Sequence, residues 1–314
     1  MIIVFGSLNM DMSVRLEKLP EPGETVLTPG YELNAGGKGA NQALAALRAG
    51  ADKVALVGKV GDDHYGRNIR EGLKREGVMV SGVGQSDLPT GTALTATDSH
   101  GDNQIIVMSG ANSEATHDQV PDEILTPQNL LLMQMELPVD QTMEILERAN
   151  ARGCKTILNL APAVKIPKRA IGHLDYLIVN SIEARQIAEK LQLTAEKDAT
   201  KIAQALAVEG QLTCIVTLGK RGSVAVTKDG HAWAVPILNI DQSQIVDITG
   251  AGDAYCGTFA AAIYKGLSVP EAMRRASVAG TLVCLKSGAQ PALPYLAEIE
   301  ERLSELPAAE SVRI

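Results

Sequence analysis

The sequence predicts an α/β protein in which helices cover both faces of a mostly parallel sheet, with a small β-sheet inserted into it. Near-continuous apolar strands alternate with helical patterns along most of the 314 residues. Aromatic residues make up only 3% of the chain, so the core must consist of Ala, Val, Ile and Leu, which suit helices packed on a parallel sheet. Two stretches break this alternation and show a period-2 pattern instead.

The predicted strands and helices follow one another in a regular order. The strands are Ile2–Phe5, Lys53–Val60, Leu130–Gln134, Lys155–Leu160, Tyr176–Val179 and Cys214–Leu218, and the helices are Lys38–Ala49, His64–Glu76, Val139–Arg152, Ser181–Leu191 and Ala195–Glu209. Beyond Gly252 the pattern is nearly all helical, and residues 307–314 are expected to form a loose tail. Since no internal repeat or linker divides the rest, we expect residues 1–306 to form one domain.

The inserted sheet is predicted from residues that lack helical periodicity. Asp11–Val26 and Thr92–Met108 alternate between apolar and polar residues and contain turn residues. In the second stretch, Thr92–Thr97 and Asn103–Val107 flank a turn at His100–Asp102 and predict a hairpin. These strands do not fit the strand–helix order, so we expect them to form a β-flap inserted into the main domain.

Composition excludes several classes of function. The chain carries 29 Lys and Arg against 37 Asp and Glu, and its net charge of −8 argues against a nucleic-acid partner. No apolar run reaches the ~18 residues of a membrane-spanning helix, and Ile2–Phe5 is too short for a signal-peptide core. The four cysteines show no C-x-x-C spacing and are expected to be buried free thiols. These patterns predict a cytoplasmic protein with no membrane partner.

The segment Asp247–Asp253 is the most informative about chemistry. Gly250, Ala251 and Gly252 precede an apolar helix, and small residues allow the backbone at a helix N-terminus to approach an anion. Asp253 could then accept a proton from an alcohol while the loop holds a transferred phosphoryl group. On spacing alone, however, an Asp at a helix start is more commonly a cap, and the cap is the favoured interpretation.

Two segments near the N-terminus could bind hydroxyl groups. Gly36–Gln42 opens a helix but matches neither a P-loop nor a dinucleotide-binding loop. Its Lys38 and Asn41 lie one turn apart and could both donate to hydroxyls, the alternative being a tight turn with an exposed lysine. Asn9 and Asp11 follow the first strand and could clasp a vicinal diol, although turns are also rich in both residue types.

Two further segments follow predicted strands, where ligands of α/β proteins commonly bind. Asn180 and Glu183 could help to hold a hydrated Mg²⁺ ion, or they could form a capping box at the start of a helix. Thr217–Gly222 carries two cations between two glycines. It suits a nucleotide-binding loop, and the alternative is a plain hairpin turn.

Together these segments identify the chain as a member of the ribokinase-like (PfkB) carbohydrate kinases. The resemblance runs from about Val4 to Pro294. It implies a doubly wound α/β domain with a β-sheet lid over the sugar, here about residues 11–35 and 91–109, and a homodimer formed through that lid. The segments that carry it are Gly6–Asp11, Pro22–Val26, Gly36–Gln42, Gly61–Asp63, Gly110–Asn112, Leu132–Glu136, Asn180–Glu183, Thr217–Gly222, Asp247–Asp253 and Gly288–Pro291.

The resemblance also implies roles for individual residues. Asp253 would deprotonate a sugar hydroxyl, and Gly250, Ala251 and Gly252 would form an anion hole. The sugar would be bound by Asn9, Asp11, Gly37, Lys38, Asn41, Glu136 and Asp253. The nucleotide would contact Asn180, Glu183, Thr217, Leu218, Gly219, Lys220, Arg221, Gly222, Gly252 and Ser277, with Glu183 helping to place Mg²⁺.

The family's site for a monovalent cation, usually K⁺, is also implied here. Its ligands would be Asp247, Thr249, Val283, Lys286 and Gly288, largely through carbonyl groups. The chain departs from the family pattern at Ile248 and Ala292, where Thr and Ser are common. The change at Ala292 would remove one cation ligand.

The implied activity is that of a phosphotransferase with an alcohol acceptor. It would move the γ-phosphoryl group of ATP to the 5-hydroxyl of D-ribose. The alternatives are a nucleoside kinase or another sugar kinase of the same family, and a non-catalytic sugar-binding regulator. A nucleoside kinase often stacks the base on aromatic residues of its lid, whereas Tyr31 is the one aromatic residue of the flap. A regulator need not retain Asp253 and the small residues before it.

Overall fold

The computed structural model describes residues 1–100, 102–193 and 196–313. The strands are β1 (Ile2–Phe5), β2 (Asn9–Arg15), β3 (Glu32–Gly36), β4 (Val54–Gly61), β5 (Met79–Ser86), β6 (Gly91–Thr97), β7 (Asn103–Met108), β8 (Leu130–Met133), β9 (Lys155–Asn159), β10 (Tyr176–Asn180), β11 (Thr213–Thr217), β12 (Ser223–Val226), β13 (Ala232–Val235) and β14 (Glu310–Ser311). The α-helices are α1 (Lys38–Arg48), α2 (His64–Glu76), α3 (Val139–Ala151), α4 (Lys168–Ile171), α5 (Ser181–Lys190), α6 (Ala199–Gly210), α7 (Ala251–Tyr264), α8 (Val269–Leu282) and α9 (Leu296–Leu303).

The main sheet confirms the predicted fold class. Its strand order is β14-β13-β12-β11-β10-β9-β8-β1-β4-β5, and the strands from β11 to β5 are parallel. The strands β12, β13 and β14 extend it antiparallel at one edge. In β1, Ile2 and Val4 enter one core and Ile3 and Phe5 enter the other, because successive side chains of a strand point to opposite faces. The helices α1, α2, α7, α8 and α9 cover the first face and α3, α4, α5 and α6 the second.

Close backbone packing brings α1 next to α7 and to the end of β1. A Cβ atom at Gly257 of α7 would lie 2.5 Å from the carbonyl oxygen of Gln42 in α1. A Cβ atom at Gly39 would overlap the backbone of Gly6. Only glycine allows both approaches, and as a result the first turns of α1 and α7 lie side by side at the carboxyl end of β1.

The second, smaller sheet is formed by β2, β3, β6 and β7 in the order β3-β2-β6-β7; it is the sheet that was expected to act as a lid, and we call it the lid below. The pairs β2/β3 and β6/β7 are antiparallel, whereas β2 and β6 are parallel. This separate sheet and the β6/β7 hairpin were predicted, although Gly101 of the expected turn lies outside the described residues. Every residue of β7 is exposed.

Other boundaries differ from the prediction. The predicted strand segment from Asp11 does not continue to Val26: β2 ends at Arg15. Pro20 and Pro22, which follow it, lack the N–H group that a strand interior needs. The strand β3 then completes the lid and was not predicted. The strands β5, β12 and β13 were also missed; β5 is an edge strand with glycines at 82 and 84 and weak burial.

The C-terminal half differs in two further places. Asp198 is the N-cap of α6, and its side chain accepts hydrogen bonds from the backbone N–H groups of Thr200 and Lys201, so the helix starts at Ala199. The predicted start, Ala195, lies outside the described residues. In the expected loose tail, Glu310 and Ser311 pair with β13, and Ile314 lies outside the described residues. In the described part of the chain, every helix is too short or too polar to cross a membrane.

Candidate active site

The predicted site residues gather along one edge of the main sheet. The strands β1, β8, β9, β10 and β11 are parallel, so their carboxyl ends meet at the same edge. The polar residues that follow or end these strands are Ser7, Glu136, Asn159, Asn180 and Thr217. The first turns of α1 and α7 face this row.

Asp253 is the central carboxylate of the site. It is the third residue of α7 and is 8% exposed. Its Oδ2 atom accepts a hydrogen bond from the Asn41 amide at 2.9 Å, and its Oδ1 atom accepts one from the Gln42 amide at 2.9 Å. The N-cap of α7 is Gly250, and in the described chain no side chain caps this helix. The capping role that spacing favoured for Asp253 is therefore wrong.

The start of α7 is shaped to accept an anion. Gly250 has φ 81°, which favours glycine, and a Cβ atom there would lie 3.1 Å from Ala289. The region where a Cβ atom of Gly252 would sit is open. The N–H of Ala251 donates to the carbonyl of Ile248 at 3.3 Å, but within the described residues no side chain caps the helix, so the positive end of its dipole is directed at the adjacent cavity.

This cavity has a volume of about 170 Å³ and joins the predicted sugar and nucleotide residues. It lies between the start of α7 and the ends of β10 and β11. The site residues that line it are Lys38, Asn180, Glu183, Thr217, Gly250, Ala251, Gly252 and Asp253. Cys256, one turn after Asp253, also lines the cavity, and burial raises the pKa of its thiol, so it remains a protonated free thiol.

Lys38 is the cation between three carboxylates. Burial alone would lower the pKa of its ammonium group, but Asp253, Glu136 and Glu183 outweigh that effect and raise the pKa. The side chain is half-buried, so the alternative of an exposed lysine in a turn is wrong. A charged ammonium in this position can neutralise both a carboxylate and a phosphoryl oxygen.

On the sugar side, neighbouring residues hold the polar groups in place. The Glu136 Oε2 atom accepts hydrogen bonds from the Ser7 hydroxyl at 2.5 Å and the Lys38 backbone N–H at 3.2 Å. The Oδ1 atom of Asn9 accepts from the Asn112 amide at 2.8 Å. Within the described residues, Oε1 of Glu136 and Nδ2 of Asn9 make no hydrogen bond. Glu136 can therefore still accept a hydrogen bond from a hydroxyl, and Asn9 can still donate one.

Asp11 lies on β2 and faces the same space. Burial, followed by the negative charges of Glu136 and Asp253, raises its pKa to about 7. Gly36 lies beside it on β3, and a Cβ atom there would overlap its carboxylate. Gly37, with φ 88°, is the N-cap of α1, and a Cβ atom there would lie 2.7 Å from the Asn9 backbone nitrogen.

Among the predicted nucleotide-binding residues, the local geometry matches both structural alternatives, the capping box and the hairpin turn. Asn180 and Glu183 form a capping box at the start of α5: Asn180 Oδ1 accepts from the N–H groups of Ile182 and Glu183, and Glu183 Oε2 accepts from the N–H of Asn180. Both residues nevertheless line the cavity. A cap and a ligand contact are thus compatible, because each side chain retains unused polar atoms.

The residues 217–222 form the hairpin loop between β11 and β12. The N–H of Leu218 donates to the carbonyl of Gly222 at 2.8 Å, Gly219 lies between them, and Lys220 and Arg221 are exposed at the sheet edge. Ser277, the remaining predicted nucleotide contact, lies on α8 and does not line the cavity. It is 3% exposed, and its hydroxyl donates to the carbonyl of Pro236 at 2.5 Å.

The predicted cation ligands come together in two loops. Asp247 accepts hydrogen bonds from the N–H groups of Thr249 at 2.9 Å and Gly288 at 3.0 Å, and these bonds lower its pKa although burial opposes them. Among the described residues, the carbonyl oxygens of Thr249, Lys286 and Gly288 receive no hydrogen bond. Val283 is fully buried beside them, and the Lys286 ammonium binds Glu298 instead. Unpaired carbonyls around one carboxylate fit a monovalent cation.

Four glutamine and asparagine residues were missed by sequence reasoning. Gln42 is fully buried in α1 and hydrogen-bonds Asp253, Asn159 and Gln134. Gln290 donates to Asn41 Oδ1 at 3.1 Å. The sequence did carry signals: Gln42, Gln134 and Gln290 lie in segments that carry the family resemblance, and Gln134 and Asn159 stand at the carboxyl ends of buried strands.

A carboxylate beside an uncapped helix N-terminus, at the carboxyl edge of a doubly wound sheet, is the arrangement of an enzyme that transfers a phosphoryl group to an alcohol. The comparison with family models is more specific. Residues 1–296 match the pfkB family of carbohydrate kinases, and the chain belongs to that family.

Individual relatives cover nearly the whole chain. A ribokinase of Bacillus subtilis is 36% identical over 306 residues, which are 96% of this chain and 99% of the relative. A crystal structure of a ribokinase from Thermotoga maritima superposes with a TM-score of 0.88 at 30% identity, covering 96% of this chain and 99% of that one. The structure of an Arabidopsis thaliana ribokinase complexed with ribose and ATP gives 0.84 at 30% identity, covering 96% and 98%.

Proposed function

We propose that the protein is a ribokinase, which transfers the γ-phosphoryl group of ATP to the 5-hydroxyl of D-ribose and releases D-ribose 5-phosphate and ADP. The observation that carries the proposal is the position of Asp253 between the hydroxyl-binding groups and the cavity at the start of α7. The similarity to ribokinases over nearly the whole chain supports the choice of sugar.

On the sugar side, a ring of hydrogen-bonding groups would hold ribose. Asn9, Lys38 and Asn41 donate to hydroxyls, while Asp11 and Glu136 accept from them. Such a ring fixes the orientation of a small polyol, so that its primary hydroxyl lies beside Asp253. Gly37 contributes by its shape, because a larger residue there would displace Asn9.

The reaction would proceed by direct displacement. Asp253 takes the proton of the 5-hydroxyl while the hydroxyl oxygen forms a bond to the γ-phosphorus, and the bond from that phosphorus to the bridging oxygen of ADP breaks. The uncapped N-terminus of α7 at Gly250, Ala251 and Gly252 and the ammonium of Lys38 stabilise the charge on the transferred group. The residues Asn180 and 217–222 lie where the nucleotide would extend along the sheet edge.

We also propose that Mg²⁺ enters with ATP. In the described part of the chain, no three His, Cys, Asp or Glu side chains form a metal-binding cluster. In proteins Mg²⁺ is commonly bound by substrate phosphates, one or two carboxylates and waters. The carboxylate of Glu183, which lines the cavity, could serve as such a ligand. The ion would supply positive charge to the phosphate oxygens. K⁺ would be held by Asp247, Thr249, Val283, Lys286 and Gly288 and would add positive charge near the start of α7.

The lid supports a homodimer as the oligomeric state. Ile105, Ile106, Val107 and Met108 of β7 are between 48% and 59% exposed, an unusual exposure for four consecutive apolar residues. A second lid would cover them. Sedimentation of the wild type and of Ile106→Glu tests this: we expect a dimer that the substitution converts to a monomer, and a monomeric wild type contradicts the proposal.

The competing substrate class is a nucleoside. A base under the lid would need an aromatic stacking surface, and Tyr31, the one lid aromatic, is 61% exposed. The deciding measurement is kcat/KM for ribose, 2-deoxyribose and adenosine with Mg-ATP and K⁺. We expect ribose to be best, because a site built to pair hydroxyls discriminates against analogues that lack them. If adenosine equals or exceeds ribose, the sugar assignment is wrong; if no acceptor turns over, the kinase assignment is wrong.

A further inference from the structure

A chain of side-chain amides leads from the middle of the main sheet to Asp253. The Gln134 amide donates to Gln42 Oε1 at 2.8 Å. The Gln42 amide nitrogen then donates to Asn159 Oδ1 at 3.0 Å and to Asp253 Oδ1 at 2.9 Å. Asn159 in turn donates to the backbone carbonyl of Ile178 at 3.1 Å. Both N–H groups of Gln42 are therefore used, one of them on the carboxylate.

The direction of this chain is fixed by a group that cannot be reversed. The carbonyl of Ile178 can only accept, so Asn159 must turn its amide nitrogen toward it and its oxygen toward Gln42. Gln42 must then present its nitrogen to Asn159 and to the Asp253 carboxylate, which also only accepts. Its oxygen is left for Gln134. Every amide orientation from the sheet to Asp253 follows from this one backbone group.

The network carries a cost that packing alone does not explain. The Oε1 atom of Gln134 is buried and has no hydrogen-bond partner within the described part of the chain. Reversing the Gln134 amide would place two oxygens against each other at Gln42. The unpaired oxygen is therefore the consequence of keeping the Gln42 nitrogen directed at Asp253, and costs of this kind concentrate at functional sites.

We propose that Gln42 is a positioning residue for Asp253. The inference rests on the proposed function, because it concerns the residue that would take the proton of the hydroxyl. Gln42 is fully buried and does not line the cavity, so it would act on the substrate through its two hydrogen-bond partners there, Asn159 and Asp253, of which Asp253 is the carboxylate that takes the proton. Together with Asn41 it places one donor on each carboxylate oxygen, which fixes the plane of the carboxylate and the direction of the lone pairs that face the hydroxyl.

The first test is Gln42→Met, which keeps the shape of the side chain and removes its donors. A displacement of a reacting group by about 1 Å can lower a rate by about 10²-fold, and complete loss of a general base costs ~10²–10⁴-fold. We therefore expect kcat to fall by about 10–100-fold, while KM for ribose changes by less than about threefold, because Asp253 is the one sugar-binding residue to which the Gln42 side chain makes a hydrogen bond among the described residues.

Gln119→Met is the matched control. The Gln119 amide also donates two hydrogen bonds, to the carbonyls of Gly58 at 2.7 Å and Gly82 at 3.2 Å, but neither bond involves Asp253 and Gln119 does not line the cavity. The control should lose stability without losing kcat. If Gln42→Met does not fold, Gln42→Leu replaces it, since leucine is smaller and also cannot donate to Asp253; the same loss of kcat is expected.

The decisive measurement is Gln42→Met in an Asp253→Asn background. If Gln42 acts by positioning the carboxylate, it has little left to do in that background, and the residual rate should change by less than about threefold. A kcat within twofold of the wild type in the single variant overturns the inference, as does an equal loss in both backgrounds. If the wild type phosphorylates no sugar at all, the proposed function fails instead, so the two failures are distinguishable.

Discussion

Asp11→Asn should stabilise the ligand-free protein while weakening its hold on the sugar. The pKa of Asp11 is about 7 in the folded protein, against 3.8 for the unperturbed group. Because the folded state holds the proton more tightly, stability falls as the pH rises from about 4 to about 7, and the full cost of ionising the buried carboxyl is present above pH 7. An amide at this position does not ionise and avoids that cost.

The magnitude follows from the shift. Each pH unit between the two pKa values is worth about 1.4 kcal/mol, so the advantage of Asp11→Asn should grow by at most about 3 kcal/mol between pH 5 and pH 8. Since the side chain is partly exposed and solvent screens it, we expect a growth of about 1–3 kcal/mol. Loss of a charged acceptor for the sugar should meanwhile raise KM for ribose about 10–100-fold.

The assay is urea unfolding of ligand-free wild type and variant at both pH values. Asp87→Asn, at an exposed site, is the control and should change the free energy of unfolding by less than about 0.5 kcal/mol at either pH. A stability difference for Asp11→Asn that is the same at pH 5 and pH 8, or a variant less stable than the wild type at pH 8, refutes the argument that burial and the nearby carboxylates raise this pKa.

Three further predictions concern the same site. Asp253→Asn should lower kcat by ~10²–10⁴-fold, with ribose affinity by calorimetry mostly intact, and a kcat within a few-fold of the wild type would contradict its role as base. Saturating ribose should increase the hydrogen-exchange protection of β2 and β6, because the lid is too thin to bury a core of its own; unchanged protection in both strands would exclude closure. Gly37→Ala should raise KM for ribose at least tenfold and lower the melting temperature, since φ 88° and the Asn9 backbone leave no room for a Cβ atom; unchanged KM would separate this loop from sugar binding.

The parts of the fold that were predicted are those with a local signal. The strands β1 and β8 are short and apolar throughout, and β10 is apolar at its centre, because both faces of the main sheet are covered by helices. Of the strands that were missed, β5 lies at an edge and β3 in the lid, where the apolar pattern weakens, and β12 and β13 are only four residues long. For β3 the alternation is interrupted at Asn34, which pairs with Asp11, and at Gly36, where a Cβ atom would overlap the Asp11 carboxylate.

The candidate site divides in the same way. Residues that follow strands or open helices, such as Asn180 and Lys38, could be found from their positions, because the topology of a parallel sheet brings those positions to one edge. The role of Ser277 could not be predicted from its position, since a small polar residue on a helix gives no indication of which carbonyl its hydroxyl will bind. Its hydroxyl is in fact occupied by Pro236.

The two acidic residues at helix starts show what spacing can and cannot decide. Glu183 and Asp253 are each the third residue of a helix, where a carboxylate commonly binds backbone N–H groups. For Glu183 the local interpretation holds, because Asn180 supplies the other half of a capping box three residues away. For Asp253 it fails, because its donors, Asn41 and Gln42, are 212 and 211 residues distant in the chain. A free helix end beside a carboxylate held by remote amides is thus a product of tertiary packing, and it arises here only because glycines at 39 and 257 let two helices and a strand end meet at backbone distance.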